Sequence, residues 1–284
     1  MSDNPQAPSA QEFGLPGHAV LAITGRDALA FAQAQFMNDV AALADGQWHW
    51  NGWLTPKGRV VALFALLRFD AEKLWLVLPD LLSRDLAAKL QRYVFRSKVA
   101  LKPMDLCSAG SFDAPYTATG ANFAVFEGGE VELDMGGEGG PRSLHIGCVP
   151  APENAEAVAR WNAADLAHGL PRITGEQVEA WTPQQLSLER LRAFSVKKGC
   201  YPWQEIVART HFLGQAKRGL ALFGTTVPVH AGDQVHADGR AVGSIVCASD
   251  DVALAVMPLE AHDASLAAGD TTLTPRPLLD GLQR

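Results

Sequence analysis

The chain has 284 residues, 48% hydrophobic and 19% charged, enough apolar material for a sizeable core and two or three domains and too much for wholesale disorder. Its formal net charge of −7 argues against a protein that coats nucleic acid over its whole surface, because phosphate neutralisation supplies most non-specific binding. Four cysteines, Cys107, Cys148, Cys200 and Cys247, lie about 40 to 50 residues apart, which fits neither a CxxC knuckle nor a compact disulfide framework, so no preassembled metal or cluster site is expected.

Residues 1–14 are polar, rich in Pro and Ala, and lack both a cationic n-region and an apolar h-region, so they read as a leader without a secretory signal. The longest apolar runs fall far short of the roughly 20 residues of a membrane-spanning helix. A cytoplasmic protein is expected. Ala19–Thr24 is a short apolar strand, and Gly25-Arg26 turns into a helix from Asp27 with Leu29, Ala30, Gln33, Ala34, Phe36 and Met37 at helical spacing. Gln47–Leu54 carries Trp48, Trp50 and Trp53, read as core and rim packing. Thr55-Pro56-Lys57-Gly58 supplies a turn, and apolar residues resume over 59–69 to complete an antiparallel hairpin. Lys73–Leu78 is a strand, 81–93 an amphipathic helix with Leu82, Leu86 and Leu90 on one face, and 98–104 a further strand. This order predicts an antiparallel sheet with its helices on one face.

Two or three short strands are expected between Cys107 and Pro150, with Glu127-Gly128-Gly129 and 136–140 as hairpin loops; neither glycine run has the order of a phosphate loop. Residues 153–169 form a helix that stops on Gly169 before Pro171. Short strands at 217–223, 234–235, 242–248 and 252–257 predict a small barrel from about residue 214 onward.

Between Leu186 and Leu220 stand Arg190, Arg192, Lys197, Lys198, Arg209, Lys217 and Arg218 against only Glu189 and Glu205, a local excess of five positive charges. It is either the seat of an anionic partner or a solvated face balanced from elsewhere. Inside it, Lys197-Lys198-Gly199-Cys200-Tyr201-Pro202-Trp203-Gln204-Glu205 places Cys200 just before a helix that Pro202 is suited to begin. The positive end of that helix and the neighbouring lysines would favour thiolate over thiol. A small buried hydrophobe is the other reading of Cys200.

This segment, continuing into Ile206-Val207-Ala208-Arg209, resembles the K-G-C-Y-x-G-Q-E signature of the YgfZ family of folate-dependent proteins, relatives of the glycine-cleavage T-protein. Gly25-Arg26-Asp27 with Gln35 and Asn38-Asp39-Val40, Pro56-Lys57-Gly58-Arg59, Tyr93 with Ser97-Lys98-Val99, 169–173 and Thr182-Pro183-Gln184 resemble further family landmarks in order. The resemblance implies an α+β T-protein-like fold over residues 15–213, with a ferredoxin-like unit at 47–105, and a β-barrel over 214–284. It implies tetrahydrofolate or another folate held in a central opening, and a role in the assembly or repair of iron–sulfur enzymes, including ones that modify tRNA. Those clients and folate are the expected partners; direct nucleic-acid binding is not expected. Cys200 is carried over as the reactive thiol, with Trp161, Lys198, Tyr201, Gln204, Glu205 and Arg209 as folate-binding candidates. His18 stands where the family has an aromatic residue.

The family signature has Gly where this chain has Trp203. An indole there is strained if the backbone holds positive φ, and otherwise lies against or fills the pteridine pocket. An aminomethyltransferase is one alternative, but the stretch 58–63, where the T-protein places its catalytic Asp, holds no acid, and the expectation is of no turnover of that kind. A tRNA-binding scaffold whose basic segment tracks phosphates is another. His211 reads as a metal or proton-transfer group or as hydrogen-bonded structure, and Arg209 as a ligand contact or an i, i+4 partner of Glu205.

Overall fold

The computed structural model describes residues 12–198, 217–260 and 265–284. In chain order the elements are β1 (Phe13–Gly14), β2 (Ala19–Thr24), α1 (Ala28–Gln35), β3 (Gln47–Leu54), β4 (Val60–Arg68), β5 (Lys73–Leu78), α2 (Ser83–Leu90), β6 (Ala100–Met104), β7 (Cys107–Ser111), β8 (Ala124–Val125), β9 (Val131–Asp134), β10 (Ser143–Gly147) and α3 (Ala155–Ala167). After these come β11 (Arg218–Gly224), β12 (Gln234–Ala237), β13 (Arg240–Ser249), β14 (Val252–Pro258), β15 (Leu266–Ala268) and β16 (Thr271–Arg276). They build an α+β fold of two five-stranded antiparallel sheets, ordered β3-β4-β5-β2-β6 and β1-β7-β10-β9-β8, and a closed barrel, β11-β14-β13-β12-β15-β16.

The two-residue period of the strands sorts the first sheet into two faces. Leu21, Ile23, Phe64, Leu66, Leu74, Leu76 and Leu78 pack with α1 and α2 through Ala28, Phe31, Phe36, Leu86 and Leu90, so both helices cover one face as the element order predicts. Val20, Ala22, Leu63, Ala65, Leu67, Trp75 and Val77 point the other way, into a second core shared with Phe13, Leu144, Trp161, Leu170, Leu254 and Val256. That core joins the first sheet to the second and to the barrel. Trp48 and Trp50 belong to it and Trp53 to the helix-covered side. The Trp48 and Trp50 indoles donate to the carbonyls of Gly120 (3.1 Å) and Leu282 (2.9 Å), so they serve packing.

Three local readings change. Leu82 does not join the buried stripe of α2: it is the N-cap, extended at ψ 131°, and is 49% exposed. β6 starts at Ala100 because Lys98 is engaged by Asp27, whose carboxylate accepts its N–H at 2.6 Å. The barrel also contains β15 and β16, joined through a turn in which Gly269 has φ 57°. After β16 the chain crosses back over the molecule. The Leu279 N–H donates to the Ala167 carbonyl at the end of α3, and Arg284 donates to the carbonyls of Asp134 and Gly136.

Candidate functional site

Two buried polar clusters stand where the landmark motifs meet. The first lies beyond the C-terminal end of α1. The Asn38 N–H donates to Asn51 Oδ1 at 2.9 Å, and its side-chain amide donates to the carbonyls of Trp50 (2.9 Å) and Arg192 (2.6 Å). Asn51 Oδ1 also accepts from Gly52 N–H, which fixes that amide and turns its Nδ2 toward His49 Nε2 at 3.1 Å. Both ring nitrogens of His49 thus face amide NH2 donors, Nε2 that of Asn51 and Nδ1 that of Asn38 at 3.3 Å, surroundings that favour the neutral ring over the imidazolium. Burial agrees, pulling the His49 pKa down to about 4, with Asp39 opposing and Lys198 assisting.

Lys198 completes this cluster. Only 3% exposed, its ammonium donates to the carbonyls of Gln33 (2.6 Å), Phe36 and Asn38 (3.1 Å). These are groups at and just beyond the end of α1, where a helix leaves carbonyls without internal partners and where its dipole favours a cation. Burial lowers the Lys198 pKa to about 8, Asp39 opposes this, and the ammonium form predominates at neutral pH. Upstream, Ser195 N–H donates to the Met37 carbonyl, and Ser195 Oγ accepts from the N–H groups of Lys197 and Lys198. The first residue of the signature is thus tied to the Asn38-Asp39 motif, across 160 residues of sequence.

The second cluster is ionic and joins all three units. Arg142, two residues past the 136–140 glycine loop, donates to Asp165 of α3 at 2.7 Å, and Arg172 reaches the other Asp165 oxygen at 3.4 Å. Arg172 also donates to Asp80 at 2.6 Å and to the Pro79 carbonyl, while its own N–H lies 3.4 Å from Cys247 Sγ of β13. Burial pushes the Cys247 thiol up to about 12 and, with Arg172 nearby, holds His18 down to about 3.

Trp161 borders this joint. It is fully buried, edge-on to Phe13 at 6.0 Å, with the Arg142 guanidinium 4.7 Å from its ring. Its indole N–H and Arg142 Nη2 are buried donors without a hydrogen-bond partner among the described residues.

Of the proposed site residues, the structure describes Trp161 and Lys198 and places them in different clusters. Cys200, Tyr201, Gln204, Glu205 and Arg209, with Trp203 and His211, lie outside the described residues. Within the basic segment, Arg190 pairs with Asp280 at 2.7 Å, and Arg192, Lys197, Lys217 and Arg218 are exposed. A separate groove of about 420 Å³ opens beside the 55–59 turn, lined by Trp53, Lys57, Lys89, Arg92, Tyr93 and Glu179 among others. Sequence reasoning missed Asp80, Asp165 and Arg142, whose pairings, at separations of 92, 7 and 23 residues, follow no characteristic spacing.

Residues 211–278 match the family description of the CAF17 C-terminal beta-barrel domain. The chain is 29% identical over 216 residues to an uncharacterized protein of Haemophilus influenzae, covering 75% of this chain and 73% of that one. It is 27% identical to the tRNA-modifying protein YgfZ of Cronobacter sakazakii, over 83% of this chain and 79% of that one, and 26% identical to that of Vibrio vulnificus, over 79% and 73%. Among solved structures, the glycine cleavage system aminomethyltransferase T of Bartonella henselae superposes with a TM-score of 0.74 at 14% identity, covering 95% of this chain and 85% of that one. This likeness is one of fold. No helix among the described residues is long and apolar enough to cross a membrane.

Proposed function

From the premise that the chain belongs to the YgfZ family and has the T-protein-like fold, we propose that it binds tetrahydrofolate and supports the assembly or repair of iron–sulfur enzymes, including ones that modify tRNA. The observation that carries this reading is the anchoring of Lys198. The signature begins on a buried ammonium held by three carbonyls at the end of α1, beside the Asn38–His49–Asn51 network. The described part of the signature is thereby fixed to the scaffold through Lys198. Trp161 Nε1 and Arg142 Nη2, donors without a partner among the described residues, support a heteroaromatic ligand near α3, since pteridine nitrogens and carbonyl groups are acceptors of the kind these donors lack.

In this reading Trp161 borders the folate and Lys198, Tyr201, Gln204, Glu205 and Arg209 position it, with the cations of the segment attracting its carboxylates. Cys200 is the thiol at its edge. Tetrahydrofolate, when bound, supplies a carrier of one-carbon units. β4 is apolar and buried from Val60 to Leu67 and offers no carboxylate as a proton acceptor, which favours a supporting role over aminomethyl transfer. The cytoplasm is the proposed location.

Calorimetric titration of tetrahydrofolate into the wild-type chain and Trp203→Gly tests the reading. Saturable binding by wild type is expected. Binding only after Trp203→Gly would mean that the indole fills the pocket, and no binding by either would overturn the folate assignment.

A further inference from the structure

The turn after α2 presents an aromatic ring in an unusual way. The Val94 carbonyl accepts from Ser97 N–H at 2.8 Å, closing a tight turn with Phe95 and Arg96 at its tip. Val94 is buried in the helix-covered core, and on the far side the Asp27 carboxylate holds the Lys98 N–H, so the turn is fixed at both feet. Phe95 is 85% exposed and sits at φ 43°, a left-handed backbone that a bulky residue adopts only under constraint. Burial of the ring cannot be the reason for its presence.

Cations surround it. Arg92, Arg96 and Lys98 are exposed on the same short stretch, and Lys57 and Lys89 are exposed on the adjoining groove, which Trp53 and Tyr93 also line. Lys57, Arg92, Arg96 and Lys98 make no salt bridge among the described residues, and the Lys89–Glu179 pair is long at 4.0 Å. On a chain with a net charge of −7 this is a local reversal of sign. An exposed, rigidly held aromatic ring flanked by unpaired cations suits a polyanion with stacking faces, the chemistry of single-stranded nucleic acid. An acidic protein surface would use the charges and leave the ring without a specific partner.

We propose that the 92–98 turn and the Lys57–Lys89 groove form a binding surface for single-stranded RNA, in which Phe95 stacks on a base while Arg92, Arg96, Lys98 and Lys57 meet phosphates. The charge of the whole chain argues against general nucleic-acid binding, and this surface is the local exception to it. The choice of RNA over DNA rests on the proposed service to tRNA-modifying enzymes; the surface itself does not depend on folate.

The test is fluorescence anisotropy with a labelled unstructured RNA oligonucleotide and its DNA counterpart, without folate, over a range of salt concentrations. RNA should bind more tightly than DNA and weaken steeply with salt. Phe95→Ala should weaken it about tenfold with the salt slope kept, as loss of one stacked base does. Arg92→Glu with Arg96→Glu should lower the slope by about 1.4, as loss of two phosphate contacts does. Arg240→Glu, an exposed cation on the barrel, should change neither, and circular dichroism would verify that each variant is folded. Affinity unaffected by Phe95→Ala and by the double substitution overturns the proposal, as does an absence of oligonucleotide binding, the result expected if the patch serves an acidic protein. Preference for DNA overturns the choice of RNA. Because no folate is present, failure here is distinguishable from failure of the folate titration.

Discussion

The two buried polar clusters solve the problem of interior charge in opposite ways. At the joint, Arg142, Asp165, Arg172 and Asp80 neutralise one another, drawn from three stretches of the chain. At the root of the signature a buried cation, Lys198, is held by backbone carbonyls, with amides, a neutral imidazole and the Asp39 carboxylate around it. The first arrangement is closed and ties the units together. The second sits at the start of the signature and ties it to the end of α1.

The largest effect expected from breaking this contrast comes from Asp165→Ala. Removing the shared carboxylate leaves two buried guanidinium groups short of a partner, and a loss of roughly 3 to 5 kcal/mol is predicted in denaturant unfolding. Acid comes next. His49 and His18 are held down to about 4 and about 3, mainly by burial, whereas in the unfolded chain they protonate near 6.5. Stability should therefore be full above pH 6.5 and fall as the pH drops toward 4, by roughly 3 kcal/mol for His49 alone. His18→Leu should flatten its share of that slope in pH-dependent unfolding.

Lys198→Met should cost less, about 2 kcal/mol, since what it removes is chiefly hydrogen bonds to neutral carbonyls. Unfolding curves should stay cooperative. Smallest is Arg190→Ala at the exposed Arg190–Asp280 pair, expected within about 1 kcal/mol of wild type in a thermal melt.

Much of the scaffold was legible because local pattern and fold agree. Alternation in Ala19–Thr24 and Lys73–Leu78 assigns each side chain to one of the two cores, and the alternating tryptophans of Gln47–Leu54 do the same. β15 was not legible because three residues, Leu266–Ala268, carry too little period, and β16 begins directly after Gly269-Asp270 and buries only Thr271 and Leu273. At the site, the motif resemblance pointed to Asn38 and Lys198 separately. Their meeting was invisible, because Lys198 reads as one more cation of a basic run, and only the fold turns it inward. The joint had no sequence signal at all: Asp80 and Arg172 are 92 residues apart, and each is by itself an ordinary surface residue type.

The central claim, that the Lys198 anchor serves ligand binding while the ionic joint serves the fold, is tested most directly by titrating tetrahydrofolate into Lys198→Met and Asp80→Asn, with unfolding followed on the same samples. Lys198→Met is expected to stay folded and lose tenfold or more in affinity, whereas Asp80→Asn is destabilised yet binds as wild type does once folded. Wild-type affinity in a folded Lys198→Met, or loss confined to Asp80→Asn, would contradict it.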